Sequence, residues 1–111
     1  MSRENHEIEI TVTFRHTEST PALKSYVEEK ITHCLQKYVG QHTTVQIILA
    51  VEKSDHIAEA KIHSKIYDIF AKGITHDLYS AIDKLVDNID TQLRKQKERI
   101  SNHKHQSASQ L

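Results

Sequence analysis

The sequence predicts an α+β domain of order β-α-β-β-β-α, a two-layer sandwich with two helices packed on one face of a four-stranded, mostly antiparallel sheet. Three observations predict it. Four segments alternate apolar and polar residues with a period of two, and two longer segments repeat apolar residues at three- and four-residue steps. The 111 residues suffice for one hydrophobic core and not for two.

Residues 8–14, IEITVTF, put Ile8, Ile10, Val12 and Phe14 on one face and Glu9, Thr11 and Thr13 on the other, as in a half-buried strand. Thr20-Pro21 then supplies a capping hydroxyl followed by proline at the first helical position, where its missing N–H has no intrahelical partner to lose. Leu23, Val27, Ile31, Cys34, Leu35 and Tyr38 keep helical period, and Gly40 is placed to close a helix over about 21–39. After the polar stretch Gln41 to Thr44, the β-branched segment Val45 to Glu52 reads as a central strand with Val45, Ile47, Leu49 and Val51 inward. Lys53-Ser54-Asp55-His56 carries turn chemistry, and the third strand follows with small inward residues, Ala58 and Ala60, beside Ile62. Ser64 to Ile66 holds the next reversal without a glycine. Tyr67, Ile69 and Ala71 then alternate with Asp68, Phe70 and Lys72 as a fourth strand. The second helix starts at Thr75 or His76, with Asp77 in its first turn near the positive end of the helix dipole. Leu78, Ile82, Leu85, Val86, Ile89 and Leu93 continue it to about residue 100. The folded domain is expected to span 1–100, and SNHKHQSASQL, 101–111, to form a disordered polar tail.

Composition narrows the function. A lone cysteine cannot form an internal disulfide, no charged start leads into an apolar signal region, and the longest purely apolar run is Ile47 to Val51. A membrane helix needs roughly 20 apolar residues. The reading is a soluble protein of a reducing, cytoplasmic compartment, without a membrane partner. Nine histidines invite a metal, yet His103-x-His105 has no carboxylate or cysteine partner, and no H-E-x-x-H or paired-cysteine spacing occurs. Cys34 lies on the apolar stripe of the first helix with no activating neighbour in sequence. Two glycines build no phosphate loop. The sequence thus points to no enzyme, no cofactor, no metal and no small-molecule substrate.

The formal net charge is zero, but it is unevenly laid out. Residues 76–93 set Asp77, Asp83, Asp87 and Asp90 against Lys84 alone; residues 94–105 set Arg94, Lys95, Lys97, Arg99 and Lys104 against Glu98 alone. Helical projection of the second helix puts Lys84, Asn88, Thr91, Lys95 and Arg99 on one flank, with Arg94 folding back toward Asp90 or Glu98. On the first helix Tyr26, Lys30, His33 and Lys37 share a flank. Two ordinary amphipathic helices with solvated lysines give the same pattern, and the pattern alone does not separate them from a phosphate-binding surface.

Motifs in order along residues 8–100 do separate them. Asp77-Leu78-Tyr79-Ser80-Ala81-Ile82-Asp83 resembles the D-[ML]-Y-x-A-I motif of the ribosome hibernation promoting factor and ribosome-associated inhibitor family, also described as sigma-54 modulation proteins. Leu85-Val86-Asp87 and Gln92-Leu93-Arg94-Lys95 are similar to its L-I-[DN] and Q-L-x-K. Thr20 to Val27 is similar to T-x-A-[LI]-[RK]-x-[FY]-V, and Ala58-Glu59-Ala60 to its strand-three [SA]-[DE]-A.

The resemblance implies a fold like that of double-stranded RNA-binding domains and a site on the small ribosomal subunit, against 16S rRNA, overlapping the path of messenger RNA and of the A- and P-site transfer RNAs. It implies inhibition by occupancy, a monomer off the ribosome, and in some bacteria a separate ribosome modulation factor as partner in ribosome dimers. Lys24, Lys30, Lys37, Lys84, Lys95, Lys97 and Arg99 become the candidate RNA contacts. The chain departs from the family at Asn88 and Thr91, where a basic residue is common, and at Lys65-Ile66-Tyr67, where the turn usually carries Asn or Gly. It resembles the short form, without the dimerisation domain of long members or the acidic tail of inhibitor-type members. The reading from another class is a protein-interaction module that modulates transcription without touching ribosomes.

Overall fold

The computed structural model describes residues 8–38 and 42–109, with side chains through residue 100. Its elements are β1 (Ile8–Arg15), α1 (Pro21–Leu35), β2 (Thr43–Glu52), β3 (Asp55–Ser64), β4 (Asp68–Thr75) and α2 (Leu78–Ser109). The sheet order is β1-β2-β3-β4, with β1 parallel to β2 and the other pairs antiparallel. The parallel pair follows from the helix between β1 and β2, since only a long crossover returns the chain in the same direction. The α+β class and the element order are those the sequence predicts.

Local chemistry sets the ends. Thr20 Oγ1 accepts the Leu23 N–H at 3.2 Å with Pro21 opening the helix. α1 ends at Leu35 rather than near 39, because its last turn tightens: the Lys37 and Tyr38 N–H groups bond to Cys34 and Leu35 carbonyls three residues back. The cap expected at Gly40 lies outside the described residues. Lys53, with φ of 57°, and Ser54 form the two-residue link from β2 to β3. At the glycine-free reversal from β3 to β4, Ser64 N–H donates to the Tyr67 carbonyl at 2.9 Å, and Ser64 Oγ accepts the Tyr67 N–H at 3.0 Å. Tyr67 belongs to that turn rather than to β4, but it is buried.

The start of α2 needs a correction. Neither Thr75 nor His76 begins it; Thr75 closes β4, and its hydroxyl bonds both the N–H and the carbonyl of Asp77. Asp77 is the capping residue itself. Its Oδ1 accepts the Ser80 N–H at 3.0 Å and its Oδ2 the Ser80 hydroxyl at 2.7 Å. These bonds, the side-chain one first, hold its carboxyl below the usual range. The far end also differs: α2 continues to Ser109 instead of stopping near 100. No proline or glycine follows Gly73 to break it.

Val45, Ile47 and Leu49 of β2, Ala58, Ala60 and Ile62 of β3, and Ile69 and Ala71 of β4 face the helices. Leu23, Val27, Ile31 and Leu35 of α1 and Ile82, Leu85, Ile89 and Leu93 of α2 close on them, while Ile8, Ile10, Val12 and Phe14 are half-buried at the edge. α2 lies over β3 and β4, and α1 lies beside it. The small residues Ala58, Ala60, Ala71 and Gly73 sit in two paired rungs, Ala58 with Gly73 and Ala60 with Ala71. They let α2 settle onto the sheet. A Cβ at Gly73 would stand 2.5 Å from the Ala81 carbonyl oxygen and 2.8 Å from the Leu85 nitrogen.

Candidate nucleic-acid interface

The seven candidate cations fall into three groups. Lys24 stands apart, on the side of α1 turned away from α2, 3.8 Å from Glu28 one turn on. Lys30, Lys37 and Lys97 gather along the seam between α1 and α2. Lys84, Lys95 and Arg99 lie on the opposite flank of α2, toward the β4 edge.

Two clusters of the same composition organise the seam. In the first, the Tyr26 hydroxyl donates to Asp83 Oδ1 at 2.6 Å, and Lys30 Nζ lies 3.8 Å from that oxygen and 5.4 Å from the Tyr26 ring centre. Tyr79 meets Tyr26 edge-on, with ring centres 5.0 Å apart. In the second, the Tyr38 hydroxyl donates to Asp90 Oδ1 at 2.8 Å, and Lys37 Nζ lies 3.0 Å from that oxygen and 5.7 Å from the Tyr38 ring. Arg94 closes on Asp90 Oδ2 at 3.3 Å, and Lys97 lies 5.9 Å from the Tyr38 ring. Lys30 to Lys37 and Asp83 to Asp90 are both seven-residue steps. On α2 that step is two turns, about 10.5 Å, while Lys37 and Tyr38 stand in the turn just after α1, so the second cluster sits farther along the seam than the first.

Electrostatics follow from this geometry. The Lys37 ammonium bonded to Asp90 holds that carboxyl below its ordinary range, and the same bond raises Lys37. The bond to Asp83 raises the Tyr26 phenol, while burial first and Asp90 second raise Tyr38. Burial, with the Asp90 charge beside it, pushes the Cys34 thiol up to about 11. Cys34 Sγ lies 3.9 Å from Asp90 Oδ1. It is a packed thiol, not a nucleophile.

The α2 flank is different. Lys84, Lys95 and Arg99 are exposed and have no acidic partner among the described residues. Asn88, on the same flank, donates its amide to the Lys72 carbonyl at 3.2 Å, and Gln92 donates to the Phe70 carbonyl at 2.9 Å and to Asn88 Oδ1 at 2.9 Å. Asn88 is therefore tied to the outer edge of β4. Sequence reasoning missed this, and it missed Asp83 and Asp90 as partners of Lys30 and Lys37; the matched seven-residue steps were the available signal. Among the described residues no group of three or more His, Cys, Asp or Glu is placed to hold a metal, and no helix is long and apolar enough to cross a membrane.

Comparison with known proteins agrees with this architecture. The chain is 37% identical over 92 residues to the ribosome hibernation promoting factor of Azotobacter vinelandii, covering 83% of this chain and 85% of that one. It is 32% identical over 96 residues to that of Escherichia coli K12, covering 86% of this chain and all of the relative. Among solved structures, a ribosomal subunit interface protein from Coxiella burnetii superposes with a TM-score of 0.71 at 26% identity, covering 81% of this chain and 98% of that one. The N-terminal domain of Thermus thermophilus Protein Y gives 0.70 at 25% identity, covering 78% and 97%. The family model described as "Sigma 54 modulation protein / S30EA ribosomal protein" matches residues 10–101, and the chain belongs to that family.

Proposed function

We propose that this chain is a ribosome hibernation factor, which binds the small ribosomal subunit through 16S rRNA in the channel used by messenger and transfer RNA, and silences and protects idle ribosomes by occupancy. The observation that carries the reading is the row of cations Lys84, Lys95 and Arg99, without an acidic partner among the described residues, on a helix flank of a chain whose relatives bear that name. Phosphate contacts position a protein on RNA without reading its bases, as suits a large, folded target. Lys30, Lys37 and Lys97 are the secondary contacts. Each of the first two already shares a carboxylate, so a phosphate gains less there than on the open flank. The protein acts in the cytoplasm, without cofactor or turnover, as a monomer off the ribosome, with a separate modulation factor as a partner in ribosome dimers.

Occupancy makes a reciprocal demand: if the protein and initiator transfer RNA exclude each other, each lowers the other's apparent affinity. Labelled initiator transfer RNA, with messenger and initiation factors, titrated onto small subunits carrying the protein should be displaced as protein rises. Stable joint occupancy of the P site would overturn the channel reading in favour of a protein-interaction module.

A further inference from the structure

Resting on the RNA-binding reading, we propose that Phe70, on the sheet face away from the helices, is a stacking site for one unpaired nucleobase of RNA whose backbone runs along the Lys84, Lys95 and Arg99 flank.

Phe70 is 52% exposed although it sits in the middle of a strand. Its partner across the sheet is Lys61, and the partner of Lys61 is Gln46, so the three line one row of the open face. Lys61 has no acidic partner among the described residues, whereas the neighbouring Lys72 is matched by Glu59 at 3.5 Å, and Asp68 lies against His63 at 3.7 Å. The row borders a recess of about 440 Å³ lined in part by Thr44, Gln46, Lys61, His63, Asp68 and Phe70. That volume is within the roughly 300–1,000 Å³ of small-ligand sites. An aromatic face, one free cation and an uncharged amide suit a base whose phosphate meets the cation and whose edge meets the amide.

Continuity with the α2 flank singles out RNA. The open face and the cationic flank meet at the β4 edge, and Gln92 and Asn88 join them through the carbonyls of Phe70 and Lys72. Lys84 is packed there as well, its Cβ 3.0 Å from the position a Cβ on Gly73 would take. A strand following Lys84, Lys95 and Arg99 therefore reaches the rim of β4, where an unpaired base can turn onto Phe70. A base held in a duplex cannot.

The chain has no tryptophan, so Phe70→Trp installs a single fluorescent reporter. The probes are a short labelled oligoadenylate and a duplex RNA of equal length, with affinity read from the anisotropy of the label. Phe70→Ala, checked for fold by circular dichroism, should bind the single strand at least about fivefold more weakly than the parent chain, the low end of base–aromatic stacking, and the duplex equally well. Emission of the Phe70→Trp chain should be quenched by the single strand and unmoved by the duplex. Parental affinity of Phe70→Ala for the single strand, unmoved tryptophan emission at saturation, or failure of the parent chain to bind the single strand each overturns the site. Co-sedimentation of the parent chain with small subunits, measured alongside, reports on ribosome binding separately.

Discussion

Asp90 accepts from Lys37 and Tyr38 across the seam and from Arg94 one turn on, and takes a weak bond from the Cys34 thiol. Its lowered pKa sets the sign of its pH dependence: the contribution is present above the carboxylate range of the unfolded chain and is lost as pH falls through the folded value. Asp90→Asn should cost about 1 kcal/mol at pH 7, below the roughly 1.5–3 kcal/mol of hydrogen bonds to a charged group because solvent reaches the seam. Urea unfolding of both chains at pH 7 and near pH 3 checks this; the difference between them should shrink at acid pH, and an undiminished difference would show that the carboxylate charge is not what matters. Lys95 and Arg99 present the opposite case, exposed cations with no described partner. Changing both to Glu should abolish co-sedimentation with small subunits, with a stability change within about 0.5 kcal/mol for each surface site. Normal co-sedimentation of the folded double variant would remove this flank from the interface.

At the scale of elements, α2 comes close enough to β4 that a Cβ at Gly73 would meet its backbone, and Gly73 makes that approach possible. Gly73→Ala should destabilise the fold by about 1–3 kcal/mol, the usual cost of overpacking, because the atoms met are backbone and cannot swing aside. Thermal melting reads it, and an unchanged midpoint would mean that α2 can lift without loss. Order and type of every element were legible in the sequence because period-two and helical patterns are local. The ends were less so. That Asp77 caps α2 rather than lying inside its first turn shows in its bonds to Ser80, and the early end of α1 in two bonds that the apolar stripe does not encode. The cationic helix flanks were legible in the sequence, but the grouping of their side chains was not. Lys30 and Lys37 could be placed on one flank of α1 from spacing alone; that Asp83 and Asp90 stand opposite them follows from how the two helices lie side by side, which no single-helix projection contains.

For the whole molecule, zero formal charge means that the proposed binding to RNA must rest on where the cations are, since screening at physiological salt limits their reach to about 8 Å. Binding to isolated small subunits should still weaken steeply with salt, by about 10²-fold or more between roughly 50 and 200 mM, as displaced counterions return. A flat response in a salt titration would exclude phosphate contact as the source of affinity. The β4 edge bears on a different property, the behaviour of the protein with itself. An open sheet ends in a row of carbonyl and N–H groups that can template another strand, and such edges seed fibres and precipitates. Here Asn88 and Gln92 already occupy the outward carbonyls of Lys72 and Phe70, so a second chain docking strand to strand must first strip two amides from them. Resistance of this edge to strand-by-strand association thus comes from the same helix flank that carries Lys84, Lys95 and Arg99.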